Sequence, residues 1–240
     1  MASRGASNLW LKVAGLALVG GSAAATAVGL KGLPADPAAA DMSRLTTVVL
    51  VEALSWAAIP IYAWLLWWGF VHTRSVARYA ARLAVLAVVS EVPYDLATSG
   101  RVWDLRSQNP VFALLVALVV LWALDRLGQG GRRRVALSVL VVLAGVLWLL
   151  LFNVGLRLGV VPTGVVLLLF CVVFATLHAR ENTMMAVAGV LGAVALVLPA
   201  LGVAVLHYRN EAPGRAYPRY LFYVLYPVVL LAAGLLARAA

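Results

Sequence analysis

The sequence predicts an all-α, polytopic transmembrane bundle of about eight helices. Hydrophobic residues make up 64% of its 240 residues and charged residues 12%, whereas soluble globular domains have about 45–50% and about 25%. The mean hydropathy is +0.99. A soluble fold of this composition would have too few polar side chains to cover its surface. The same figures exclude a disordered chain, a coiled coil and a collagen-like chain.

Eight apolar segments approach or exceed the length of about 20 residues that a membrane-spanning helix needs. The predicted spans cover residues 9–30, 45–70, 76–97, 111–127, 135–152, 160–178, 184–207 and 220–237, in a single integral membrane domain over residues 1–240. The first segment also resembles a cleavable signal peptide, because small residues follow a short apolar run. Cleavage there would leave seven spans.

The net charge of +10 comes mostly from arginines in short loops. In a soluble protein such a charge would suggest nucleic acid as a partner; here it favours membrane lipids and argues against nucleic acid. The N-terminus and even-numbered loops carry ten basic residues and the odd-numbered loops eight, which predicts that both termini are cytoplasmic. The richness in Ala, Val, Leu, Gly and Arg points to a bacterial cytoplasmic membrane.

Three arginines precede or enter the third segment at a spacing of four residues: Arg74, Arg78 and Arg82. On a helix they would form one stripe. This pattern has two interpretations. The stripe is either a groove for phosphate groups, which the planar guanidinium binds in a bidentate manner, or a helix end that anchors the span on its positive side.

Acidic residues inside apolar segments are the strongest candidates for a site, because an unpaired charge in a bilayer is costly. Glu91 and Asp95 lie four residues apart and would share a helix face if the helix continues through Pro93; two close carboxylates favour acid or base chemistry. The alternative is an ordinary helix exit at Pro93. Glu52, inside the second segment, is expected to pair with an arginine as a structural ion pair.

Two further polar positions precede the fourth segment. Asn109 before Pro110 is typical of a helix start, with the asparagine as cap, and the adjacent Gln108 is free to face a substrate. The lone cysteine, Cys171, excludes an internal disulfide and any cysteine-based metal site, and we expect a small core residue there. No metal is predicted.

Several short motifs occur in an order that resembles the TraX family of membrane proteins. The resemblance covers about residues 57–127 and the last helix. It rests on Pro60, Gly69-Phe70, His72-Thr73-Arg74, Ser90-Glu91-Val92-Pro93-Tyr94-Asp95, Gln108-Asn109 and Phe222-Tyr223-Val224-Leu225-Tyr226-Pro227. The namesake of the family acetylates the N-terminus of conjugative pilin, and the family resembles membrane acyltransferases that use cytoplasmic acetyl-CoA.

The resemblance implies acetyl transfer from acetyl-CoA to an amine or hydroxyl acceptor, such as a peptide or another membrane protein. It implies catalytic Glu91, His72 and Asp95, phosphate-binding Arg74, Arg78 and Arg82, and substrate-binding Gln108, Asn109, Tyr94 and Tyr223. The alternative is a catalytically lapsed member that acts as a binding or assembly partner. An Asp-His pair of the family is missing near Ser22, and Trp56 and Trp68 stand where the family has charges. A transporter is the least favoured function, since no repeat or pair of broken helices is evident.

Overall fold

The computed structural model describes residues 5–29, 41–128, 130–195, 197–218 and 220–239. Within these residues the fold is all-helical apart from one two-stranded hairpin, as the sequence predicts. The elements are α1 (Asn8–Gly29), α2 (Met42–Ser55), α3 (Ala58–His72), α4 (Val76–Ser99), α5 (Pro110–Arg126), α6 (Arg132–Leu151), β1 (Leu156–Arg157), β2 (Val161–Pro162), α7 (Thr163–Leu177), α8 (Glu181–Ala195), α9 (Pro199–His207) and α10 (Leu221–Ala239).

Four of the described helical stretches are long and apolar enough to cross a membrane. They are residues 8–29, 42–72, 132–151 and 221–239, while α7 and α8 are shorter apolar helices. The second stretch is broken where α2 ends and α3 begins. Pro60 explains the break, because its ring would clash with the carbonyl of Trp56 and it offers no N–H to that carbonyl. The Trp56 carbonyl instead accepts from the Ile59 N–H at 3.0 Å.

Helix α4 continues through Pro93, so Glu91 and Asp95 share one helix. The alternative of a helix exit at Pro93 is therefore wrong. The expectation of a three-arginine helical stripe is also wrong at its first position. Ser75 caps α4 by accepting from the Arg78 N–H at 3.3 Å, so Arg74 lies in the loop before the helix.

The predicted span over residues 184–207 is not one continuous helix. Helices α8 and α9 form a hairpin that begins and ends at the same end of the bundle, because Arg209, just after α9, forms an ion pair with Glu181 at the start of α8, at 2.8 Å. Near its tip, Gly192 lies against the backbone of Ala200, where a side chain would collide. Pro199, with no N–H to donate, begins the second helix.

The α8–α9 hairpin returns the chain to the end where α8 begins, and α10 therefore starts from that end. Lys12, near the start of α1, donates to the hydroxyl of Tyr217 at 2.7 Å, and Ala23, late in α1, packs with Leu230 and Ala233 of α10. Helices α1 and α10 are therefore parallel, and α4 runs in the same direction, because Arg82 lines a groove with Tyr223 and Leu96 lies against Gly234. We call the end where these helices begin the near end and the opposite end the far end. The described residues start at the near end and finish at the far end, which contradicts the prediction that both termini share a side.

The main core lies between α3, α5 and α7 at the centre of the bundle. Its largest fully buried side chains include Trp64, Phe170 and Phe174, and Cys171 is a fully buried member of the same core, as expected. Helix α6 packs only along one side, against α5 and α7, and exposes most of its apolar side chains. This arrangement leaves the polar side chains of α1, α2 and α4 to meet at the far end.

Candidate functional site

A fully buried asparagine joins three elements near the middle of the bundle. The amide of Asn109 donates to the Ser90 hydroxyl at 2.6 Å, its backbone N–H donates to a carboxylate oxygen of Glu91 at 3.2 Å, and its side-chain oxygen accepts from the Tyr226 hydroxyl at 2.8 Å. The same oxygen caps α5 by accepting from the Val111 N–H at 3.0 Å. We call Ser90, Glu91, Asn109 and Tyr226 the Asn109 cluster.

Asn109 forms the predicted helix cap and makes a second contact. It caps α5 with Pro110 in the first turn, and it also anchors the half-buried Glu91. No arginine forms an ion pair with Glu91 in the part of the chain that the structure describes. The sequence offers Arg44, Arg101 and Arg219 as possible partners for Glu91; Arg44 donates to the carbonyl of Val28, and Arg219 lies outside the described residues.

A polar cavity of about 240 Å³ opens at the far end. Helices α1, α2 and α4 form its inner walls, and the loop over residues 100–109 and the β1–β2 hairpin complete it. Its charged lining residues are Glu52, Asp95, Asp104, Arg106 and Arg157, and its hydroxyl-bearing lining residues are Thr26, Tyr94, Thr98, Ser99 and Ser107. We call this space the far-end cavity.

Glu52 is paired with an arginine, as the sequence predicts for an acidic residue at this depth. Its carboxylate lies 3.6 Å from Nε of Arg157, and the exposed fractions of the two side chains are 2% and 12%. The hydroxyl of Ser22, fully buried on α1, donates to the same carboxylate. Arg157 also lies over the ring of Tyr94, with 5.5 Å from its guanidinium carbon to the ring centre. The ion pair with Glu52 and the contact with the Tyr94 ring together hold the β hairpin over the cavity.

Asp95 is 98% buried and only half satisfied. One carboxylate oxygen accepts from the Asp104 N–H at 2.8 Å, and the other, Oδ1, has no hydrogen-bond partner among the described residues. Asp104 itself is held by Arg106, whose hydrogen bonds keep the pKa of that carboxyl well below its usual range. Among the described residues, the carboxylates of Glu52 and Asp104 have cationic partners at this cavity, and Asp95 has none.

A second, apolar groove lies between the first half of α4 and the start of α10. Its volume is about 320 Å³, and it is lined by Ala81, Arg82, Val85, Leu86, Val89, Tyr220 and Tyr223. Arg82 is the charged residue at its near end, and its buried Nε has no hydrogen-bond partner among the described residues. We call this space the α4–α10 groove.

The structure brings together only part of the predicted site. Glu91 and Asn109 meet, joined by Tyr226, which was not among the predicted site residues, and Tyr94 and Asp95 line the far-end cavity. His72 is exposed at the near end, where its ring stacks on Trp68 with 4.1 Å between centres. Glu91 lies about 22 Å further along, at 1.5 Å per residue from the start of α4. A direct contact between His72 and Glu91 is therefore excluded.

The remaining predicted residues are dispersed. Arg74 and Arg78 are exposed at the near end, and only Arg82 enters the α4–α10 groove, which it shares with Tyr223. The backbone of Gln108 bonds to the loop after α6, donating to the Asn153 carbonyl at 3.1 Å and accepting from the Gly155 N–H at 2.8 Å. That contact gives Gln108 a structural role beside its predicted substrate role.

Sequence reasoning missed Arg157 and Ser107. Ser107 lies 3.1 Å from the Tyr94 hydroxyl and donates to the carbonyl of Leu156 at 2.5 Å, which ties the loop to the hairpin. A signal for Arg157 exists in retrospect: it is a basic residue at the far end of two apolar segments, and Glu52 required a cation. No group of three His, Cys, Asp or Glu side chains is placed to hold a metal ion within the described residues.

Comparison with protein families matches residues 43–237 to the family described as TraX protein. The chain belongs to the TraX family. The matched region includes the Asn109 cluster, the α4–α10 groove and all but one wall of the far-end cavity, and it leaves out α1, which supplies Ser22 and Thr26. No curated protein and no solved structure matches the chain significantly.

Proposed function

We propose that this TraX-family chain is a multi-pass membrane acyltransferase that moves an acetyl group from acetyl-CoA to an amine or hydroxyl acceptor. The observation that carries the proposal is the α4–α10 groove, an apolar groove with an arginine at its near end that follows α4 from Ala81 to Val89. Phosphates of a coenzyme A molecule suit the arginine end, and the elongated shape of its pantetheine arm matches the groove.

The α8–α9 hairpin, which begins and ends at the near end, supports a membrane orientation in which the near end faces the bacterial cytoplasm. We propose seven crossings, made by α1, α2–α3, α4, α5, α6, α7 and α10, with α8–α9 entering and leaving from the near end. Of the arginines that the structure describes, ten then belong to the near side and five to the far side, whereas eight spans would divide the same fifteen residues nine to six. The near set is Arg74, Arg78, Arg82, Arg126, Arg132, Arg133, Arg134, Arg180, Arg209 and Arg215, and the far set is Arg44, Arg101, Arg106, Arg157 and Arg238.

Helix α10 connects the donor groove to the proposed base. Tyr223 lines the groove, and Tyr226, one turn further, donates to Asn109, which also binds Glu91. In the proposed reaction the acceptor nitrogen or oxygen attacks the thioester carbonyl and gives its proton to Glu91. The carbon–sulfur bond breaks, and coenzyme A leaves as the thiol with that proton. Tyr94 and Asp95, which line the far-end cavity, support the proposal that the acceptor binds on that side.

Acetyl-CoA binding and turnover by the purified chain in nanodiscs test the proposal. Arg82→Ala is expected to weaken acetyl-CoA binding by about tenfold or more, the effect of losing one charged hydrogen bond. Arg133→Ala, which removes an exposed near-end arginine away from the groove, is the matched control. Glu91→Gln is expected to abolish acetyl transfer and to leave binding unchanged. Equal binding by all three variants and the native chain would refute the donor site.

One observation favours the second candidate, a catalytically lapsed binding or assembly protein. Trp68 occupies the place of a family charge and stacks on Trp64, with 5.9 Å between ring centres, and on His72. This aromatic cluster fills near-end space with apolar bulk. The lapsed protein is expected to fold and to bind lipids or partners while neither binding acetyl-CoA nor transferring its acetyl group.

A further inference from the structure

We propose that the far-end cavity binds the headgroup of an aminophospholipid of the phosphatidylethanolamine type. The ammonium group would bind Asp95, the phosphate would bind Arg157, and the acyl chains would lie against an apolar rim at the mouth. The inference rests on the proposed function for the membrane placement of the far end. Binding requires no acetyl-CoA and no turnover, so the two proposals can fail separately.

The charge of the cavity selects a cationic group. Asp95 is buried and lines the cavity, and among the described residues its Oδ1 has neither a hydrogen-bond partner nor a cationic partner. Oε1 of Glu52 also has no hydrogen-bond partner there, but it lies 3.6 Å from Nε of Arg157, and Asp104 is paired with Arg106. A buried carboxylate oxygen without a partner is costly unless a donor reaches it. A primary ammonium supplies such donors together with the opposite charge. The hydroxyl oxygens of Ser99 and Thr98, which also line the cavity, can accept hydrogen bonds from its remaining N–H groups.

Arg157 supplies donors for a phosphate in the same cavity. Its contact with Glu52 is made through Nε, and its side chain forms no hydrogen bond within the described part of the chain. A guanidinium has five N–H donors in a planar fork that matches phosphate oxygens. A zwitterionic headgroup therefore fits two complementary charges, the carboxylate of Asp95 and the guanidinium of Arg157.

Exposed apolar side chains lie beside the lining residues of the cavity. Trp103 and Leu105 are each 64% exposed and flank Asp104, and Leu158 and Val160 are 49% and 77% exposed on the hairpin. Leu158 also has a φ of 52° beside Gly159 at 73°, a turn whose conformation favours Asn, Asp or Gly. The backbone conformation of this turn does not favour leucine, whereas contact between the leucine side chain and lipid explains it. Aromatic and apolar residues beside arginines are typical of the bilayer interface.

The purified full chain in detergent, titrated with phospholipids that share the same acyl chains, tests the proposal by native mass spectrometry. We expect phosphatidylethanolamine to bind at least about tenfold more tightly than phosphatidylcholine, whose methylated nitrogen donates no hydrogen bond, or phosphatidylglycerol, which has no cation. Asp95→Asn keeps the acceptor for the Asp104 N–H and is expected to remove this preference. Asp125→Asn, at an exposed near-end carboxylate, is the matched control and is expected to keep it.

A second pair of measurements separates a lipid from its free headgroup and avoids dependence on a buried variant. Trp103→Ser changes an exposed side chain and is expected to weaken phosphatidylethanolamine binding while leaving any weak binding of soluble glycerophosphoethanolamine unchanged. Equal affinity of the native chain for the three lipids would overturn the proposal. Retention of the ethanolamine preference by folded Asp95→Asn would overturn the role of Asp95, and glycerophosphoethanolamine binding as tight as the lipid would overturn the role of the rim.

Discussion

The Glu52–Arg157 ion pair allows a quantitative test of what holds the far-end hairpin in place. Replacing Arg157 with methionine keeps much of the side-chain volume and removes the charge. Glu52, with a side chain only 2% exposed, would then be an uncompensated buried carboxylate whose remaining described partner is the Ser22 hydroxyl. Breaking a buried ion pair on one side costs about 3–5 kcal/mol. We therefore expect Arg157→Met to lower the free energy of unfolding by that amount.

Changing Glu52 as well shows whether the lost free energy of unfolding comes from its unpaired carboxylate. Replacing both members, Glu52→Gln with Arg157→Met, leaves no buried charge, and a buried pair replaced as a whole is often nearly neutral. The double variant is therefore expected to recover most of the loss, with a coupling energy of about 2–3 kcal/mol. Arg101→Met, at an exposed far-end arginine, is the matched control and is expected to change stability by less than about 0.5 kcal/mol.

Unfolding of the purified protein in mixed micelles of rising denaturing-detergent content, followed by tryptophan fluorescence and circular dichroism, measures these differences. A stability of Arg157→Met equal to that of the native chain would show that the pair contributes nothing. Additive losses in the double variant would show that the two side chains act independently, and either result would refute the reasoning.

Three further predictions concern the bundle. In a Cys171→Ala background, a cysteine at Gly214 is expected to be labelled from the cytoplasmic side and one at Gly159 from the opposite side, because α8–α9 returns to the near end; labelling of both from one side would restore a continuous eighth span. Gly202→Ala is expected to cost about 1–3 kcal/mol, since its Cβ would meet the Ala57 carbonyl and the Pro60 ring, whereas Gly189→Ala faces open space and should not lower the melting temperature. Asn109→Ala is expected to cost about 1–3 kcal/mol or more through the lost cap and the Tyr226 hydroxyl left without its acceptor, and an unchanged melting curve would contradict the contacts of the Asn109 cluster.

The sequence by itself determined the class of the protein and most of its helices. Composition and apolar length depend only on local residues, so six of the eight predicted segments correspond to single helices of the structure. Family membership was also evident from short motifs in a fixed order, now matched over residues 43–237. Local chemistry likewise predicted the cap at Asn109 and the need of Glu52 for a cation, because a helix start and a buried charge each have few solutions.

Only the tertiary structure decided the direction of the last helices and the grouping of the polar side chains. Hydropathy cannot distinguish one 24-residue span from a hairpin of two short helices, since both are apolar; the ion pair of Arg209 with Glu181 makes that distinction. The far-end cavity is equally non-local, because Glu52, Asp95 and Arg157 come from three separate parts of the chain. Their spacing in the sequence does not predict that they meet. They come together because α1, α2 and α4 form the walls of one cavity beneath the β hairpin.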